Sequence, residues 1–149
     1  MELFLTIEAQ NSTKIGIDKI CWDIKKQLSF VTDKEAGLEN VNNYGTEFRL
    51  ISIIPTCVDN EFWDALGWKE RKQVWYKKKE ADIRLRMDYD RFIRETLENK
   101  RLMYVDIVVE SIKVVQKKSK GDFRGNKLIE DILNTLNISF MQLNKLNKQ

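Results

Sequence analysis

The run from Phe48 to Ile54 constrains the fold more than any other stretch of the chain. It is apolar on both faces apart from Arg49 and Ser52. A strand with two apolar faces belongs in the middle of a sheet, so neighbours must be found on both sides. Pro55 lacks the N–H that a ladder needs and is expected to end the strand. One neighbour lies at the start, where Leu3, Leu5, Ile7 and Ala9 alternate with Phe4, Thr6 and Glu8. That period of two predicts a strand with one buried face. Two further strands are predicted as a hairpin, Val74 to Lys78 and Ala81 to Tyr89, turning at Lys79-Glu80. Its register would pair Val74 with Leu85 and Tyr76 with Ile83 on the inner face. Gln73 would face Arg86, Trp75 Arg84 and Lys77 Asp82 on the outer one, giving a cation over an indole and an ion pair. Lys-Glu is not the Asn-Gly or Asp-Gly that a two-residue loop favours, so a longer loop or a slipped register stays open.

The remaining pattern is helical. Ile17, Ile20, Ile24 and Leu28 recur at three and four residues and predict a first helix to about Phe30, capped by Ser12 or Thr13. Residues 32–46 are polar, punctuated by glycine and asparagine, and read as a loop. Asp59 to Leu66 reads as a short helix with Asp59 or Asn60 as cap and Gly67 as stop. Asp88 or Asp90 caps another that carries Phe92, Ile93 and Leu97, interrupted at Asn99 or Lys100. Leu102, Val105, Val108, Val109, Ile112 and Val115 form a long helical stripe. Lys117 to Gly125 is a loop, and Leu128 to Leu136 a last helix. Strands come early and helices late. The fold class is therefore α+β: a small antiparallel or mixed sheet including the hairpin, with helices packed mainly on one face. Residues 1–137 read as a single domain, and 138–149 as a polar tail that extends the last helix, packs back or frays.

Composition narrows the chemistry. There is no histidine among the 149 residues, which removes the usual general base and the commonest metal ligand. Cys21 and Cys57 lie far apart among apolar neighbours, which reads as buried thiols rather than a disulfide or metal site. No serine stands in a nucleophile-elbow setting, and the scattered glycines build no phosphate cradle. Nothing nominates a catalytic constellation, a metal or a cofactor, so the chain is not read as an enzyme. No apolar run could span a bilayer and the start carries no basic leader, so a cytoplasmic protein without a membrane partner is expected.

The net charge of +3 hides an asymmetry. Residues 1–68 hold six Lys/Arg against eleven Asp/Glu, and residues 69–149 hold twenty against twelve. Such a polarised chain can steer a charged macromolecule. Two surfaces compete for one. Trp75 to Lys79, with Arg84 and Arg86, mixes aromatic platforms and cations as a single-stranded nucleic-acid binder would, and this is the alternative reading. Core packing is the default for each of the four tryptophans. Yet Trp63 and Trp68 stand beside Asp59, Glu61 and Asp64 on a short loop-like element, and aromatics with acids on a loop suit a protein interface. Those five residues are the candidate partner-binding set.

From Glu47 onward the chain resembles bacterial immunity proteins of polymorphic toxin systems, the immunity protein 44 family. The resemblance is carried by Val74 to Phe92, Val105 to Val115 and Phe123 to Leu133. It implies a small cytoplasmic protein that binds and neutralises one cognate toxin C-terminal domain by steric occlusion, charge complementarity setting the association rate. A nuclease toxin would present a basic groove to the acidic N-terminal half, including Asp59, Glu61 and Asp64. No residue is transferred from the family as a binding site.

Overall fold

The computed structural model describes residues 1–40, 42–67 and 70–148. The chain runs β1 (Glu2–Leu5), β2 (Glu8–Ala9), α1 (Ser12–Ile15), α2 (Ile17–Gln27), α3 (Ser29–Thr32) and α4 (Lys34–Glu39). Then come β3 (Leu50–Cys57), α5 (Asn60–Ala65), β4 (Lys72–Lys77) and β5 (Glu80–Arg86). The remainder is helical: α6 (Tyr89–Arg94), α7 (Leu97–Lys118), α8 (Gly125–Leu136) and α9 (Phe140–Asn147).

β3 is central, as its two apolar faces require. β1 and β2 pair with it in parallel on one side, β5 pairs in parallel on the other, and β4 closes the far edge antiparallel to β5. The register places Leu3, Leu5, Ile51, Ile53, Ala81, Ile83 and Leu85 on one face, all buried, with α7 packed on β3 and β5. On the opposite face Phe4 and Trp75 stay nearly half exposed. The architecture is thus α+β, a mixed sheet with its helical layer mainly on one face. Short α5 stands apart, its Trp63 outside the main core cluster.

Pro55 does not end the central strand; it lies inside β3. The backbone shows why it is tolerated. The carbonyls of Ile53 and Cys57 accept from Thr6 and Gln10, so odd-numbered positions face the β1–β2 edge. Thr56, of the other parity, accepts from Met87 beside β5. Pro55 therefore aims its missing donor at the first edge. Glu2↔Leu50 and Glu8↔Thr56 share one offset, which sets Thr6 and Ile7 opposite Ile54 and Pro55. That is where the N-terminal strand, expected as one piece from Leu3 to Ala9, divides into β1 and β2. The proline interrupts its neighbour rather than its own strand.

Other expectations need correction for local reasons. The first helix is three pieces, because Gly16 sits at φ 83° between α1 and α2 and Leu28 leaves helical geometry before α3. Asn11 and Gly16, not Ser12 or Thr13, hold the cap positions. The supposed loop 32–46 contains α4, whose start Asp33 caps by accepting from the Glu35 N–H. The hairpin turns at Lys78-Lys79 with Lys79 in the left-handed region, so Val74 faces Ile83, Trp75 Asp82 and Lys77 Glu80. This slip of two residues keeps every side chain on its expected face. The break before the long helix is Glu95-Thr96, where Thr96 accepts from the Asn99 N–H, so Leu97 belongs to α7. Trp22 and Trp75 are not core residues: they stand 58% and 46% exposed under Lys26 and Arg84. Beyond Asn137, whose left-handed backbone stops α8, the chain packs back. Ser139 and Gln142 form a capping box, and α9 buries Leu143 and Leu146 against α7.

Candidate functional site

An open cleft of about 900 Å³ lies where α5, the end of β5 and the start of α6 converge. Each wall has a local cause. Asp59 caps α5 by accepting from the Phe62 N–H at 2.8 Å. The same residue is clasped by Gln10 from the end of β2. The Asp59 N–H donates to Gln10 Oε1 at 2.7 Å and Gln10 Nε2 donates to Asp59 Oδ2 at 3.3 Å. Across the cleft Asp88 caps α6 by accepting from the Arg91 N–H at 3.1 Å.

The floor is an aromatic–cation stack. Trp63 is 4% exposed, and the Arg86 guanidinium lies over its ring at 5.2 Å. Arg86 also donates to Asn60 Oδ1 and to the Val58 carbonyl. Its neighbour Arg71 grips Glu110 of α7 with both terminal nitrogens, at 2.7 and 3.2 Å, and donates through Nε to the Arg86 carbonyl. Above this floor stand Asp59 and Asp64 from α5 and Asp88 and Asp90 from α6. Glu110 already neutralises Arg71, so the lining keeps an excess of negative charge. Asp64 and Asp90 are exposed and, among the described residues, carry no ion pair, which suits them to an incoming cation.

The five candidate residues are thus distributed unequally. Asp59, Trp63 and Asp64 meet in the cleft. Glu61 is exposed on α5 but does not line it. Trp68 lies outside the described residues. Trp63 is a buried floor rather than a solvent-facing anchor, and the exposed aromatic of α5 is Phe62. Sequence reasoning missed Arg71, Arg86, Asp88 and Asp90 as partners of this element. Asp88 and Asp90 were legible only as helix caps, because the turn of chain that brings them opposite α5 is a product of the sheet order.

The geometry offers little for covalent chemistry. Cys21 and Cys57 are buried and unpaired. Burial, with the Asp88 charge adding to it, pushes the Cys57 thiol up to about 12, far from a working nucleophile. Among the described residues no three carboxylates or thiols gather closely enough to hold a metal, and no helix is long and apolar enough to cross a membrane. The basic hairpin makes no single stacking platform either. Alternation sends Trp75 to the open face and Tyr76 to the other, where its ring centroid lies 6.5 Å from that of Phe48.

Comparison with known proteins completes the picture. No curated protein and no solved structure matches the chain. A family model does match: immunity protein 44, over residues 1–138. The match takes in β1, β2 and the first helices, which the resemblance read from Glu47 onward had left out, and it stops short of α9. Spanning the whole sheet and the cleft walls alike, it establishes that the chain belongs to the immunity protein 44 family.

Proposed function

We propose that this protein acts in the bacterial cytoplasm as the immunity partner of one toxin domain, which it neutralises by covering the toxin's active site. The observation that carries the reading is the acid-rimmed cleft over the Trp63–Arg86 floor. A concave surface lined by Asp64 and Asp90, which have no ion pair among the described residues, suits a protruding, positively charged surface. A nuclease groove built to hold phosphates is such a surface. Occlusion needs no catalytic group on the immunity side. Known toxin–immunity pairs of the colicin DNase kind, named among the tightest complexes, show how far such complementarity can go.

The test is co-expression of the toxin domain encoded beside this chain, with and without it, followed by purification. Rescue of growth with a stable complex supports the reading; toxicity without rescue, or rescue without a complex, overturns it. Asp64→Lys with Asp90→Lys should slow association roughly tenfold at low salt and flatten its salt dependence. Unchanged kinetics would move the interface away from the cleft.

A further inference from the structure

The two edges of the sheet are treated differently. At the β1 edge α3 and α4 pack closely, and Gly37 comes so near that an added Cβ would lie 3.1 Å from the Met1 carbonyl oxygen. At the other edge β4 has β5 as its extensive neighbour and, among the described residues, nothing comparable outside it. The ladder tells which backbone groups are free there. The Arg86 N–H donates to the Arg71 carbonyl at 2.9 Å, and the two-residue turn closes on Lys77↔Glu80. Bonded and unbonded pairs alternate in an antiparallel ladder, so Gln73, Trp75 and Lys77 bond to β5. The N–H and C=O groups of Lys72, Val74 and Tyr76 therefore point outward, along an edge of ~14 Å.

The side chains say what this edge would take. Lys72, Lys77, Lys78 and Lys79 are all exposed, and among the described residues none has an acidic partner. Two such edges repel each other, which disfavours a second copy of this chain. The same charges favour an acidic strand. Val74 is half-buried against the core and Tyr76 leans toward Phe48, so apolar side chains of an added strand would extend an existing apolar surface. We infer that the free edge of β4 accepts an extended acidic segment of a partner polypeptide as an additional strand. Its backbone pairs with Lys72, Val74 and Tyr76, and its carboxylates reach the lysines at either end. Lys72, Val74 and Tyr76 do not line the cleft, so the inference does not depend on a toxin domain docking there.

The experiment uses the full ¹⁵N-labelled chain and an end-capped hexapeptide alternating glutamate and valine. The expected signature is alternation. The amides of Lys72, Val74 and Tyr76 gain roughly tenfold protection from hydrogen exchange, while those of Gln73 and Trp75, already bonded to β5, do not change. The lysine–valine peptide and the glutamate–valine peptide N-methylated at alternate residues should both fail to bind. Lys77→Glu with Lys78→Glu should weaken binding roughly tenfold. Val74→Pro should abolish it with β4 still paired, since a proline whose missing N–H faces outward is tolerated on an edge. Equal binding of the N-methylated peptide would show charge contact without strand addition and overturn the proposal. So would a peptide that fails to bind where oligothymidylate binds the same hairpin with steep salt dependence, which would assign the surface to nucleic acid. No toxin enters this test, so its failure leaves the immunity reading standing, and failure of growth rescue leaves this inference standing.

Discussion

Gly45→Ala should be among the most damaging single-methyl changes in the chain, and the structure supplies its size. Gly45 has φ 88°, and a Cβ there would lie 2.0 Å from the Asp122 carbonyl oxygen and 2.6 Å from its carbon. Both obstacles are backbone, so no side chain can rotate away. The segment is held by the Glu47 N–H on the Asp122 carbonyl and the Arg124 N–H on the Tyr44 carbonyl, each at 3.0 Å. Separating the two segments by more than an ångström would sacrifice both, at about 1 kcal/mol each. It would also drag Phe123 from its edge-on contact with Phe48, whose ring centroid is 5.2 Å away. Overpacking costs of this kind run to about 1–3 kcal/mol, and the left-handed backbone adds about 1–2 kcal/mol for a residue with a Cβ. The sum is about 4–7 kcal/mol, or ~10–25 °C in Tm for a chain of this length. Gly16→Ala is the control. Its φ is 83°, but nothing lies within 4 Å of the added Cβ, so only the backbone cost of about 1–2 kcal/mol should appear. Urea titration and thermal melts of both variants decide the matter. Equal losses in the two would mean that the carbonyl clash contributes nothing and that the reasoning is wrong.

Two further expectations concern stability. Tyr44→Phe deletes the hydroxyl that donates to Asp131 Oδ2 at 2.7 Å from a ring only 3% exposed. Asp131 is itself partly solvated, so the loss should be about 1–2 kcal/mol, read from the urea midpoint at unchanged m. An unchanged midpoint would remove that bond from the account. The second follows from Asp106, whose carboxyl burial chiefly holds above its usual range, with the Glu110 charge adding and Asn147, Lys113 and Arg71 opposing. An acid whose folded pKa is raised binds more protons folded than unfolded in the window above 3.8, so its contribution to stability falls as pH rises through that window. Asp106→Asn should flatten the fall in the Tm profile as pH rises above about 4, and parallel profiles for the two proteins would contradict the assignment.

Much of the fold was legible because hydrophobic period reports burial directly. The two-faced apolar run at 48–54 had to be central, and the valine-rich stripe from Leu102 to Val115 was a helix by length and spacing. The failures share a cause: local signals were read without their partners. Pro55 reads as a stop in isolation, yet a parallel neighbour can absorb the missing donor by breaking in its stead. The Lys-Glu turn was doubtful by composition, and the true turn places Lys79 at positive φ, a conformation that sequence rules reserve for glycine and asparagine. The candidate site followed the same pattern. Asp59, Trp63 and Asp64 could be found because they are close in sequence. Arg71, Arg86, Asp88 and Asp90 could not, since the order β1-β3-β5-β4 is what carries them to α5.

That dependence can be traced to one clasp and tested. Pro55 divides the N-terminal strand, β2 re-forms beyond the gap, and the chain leaves it at Gln10, whose amide both donates to and accepts from Asp59. The cleft wall is therefore anchored to the sheet by a side chain about fifty residues away in sequence, while Asp59 still caps α5 through the Phe62 N–H. Gln10→Ala removes the anchor and keeps the cap. Two part-buried hydrogen bonds are worth about 1–2 kcal/mol together, which predicts roughly tenfold faster hydrogen exchange in α5. The amides of α7, which depend on global unfolding, should speed up much less if α5 opens by itself. Arg86 should also lose its fixed place over Trp63, because Asn60 and Val58, which hold its guanidinium, sit at the same end of α5. Tryptophan emission reports that loss independently. A uniform rise in exchange across α5 and α7 would show that the clasp supports the whole domain and not the cleft wall. No rise in α5 would show that the N-cap and Trp63 hold the wall without it.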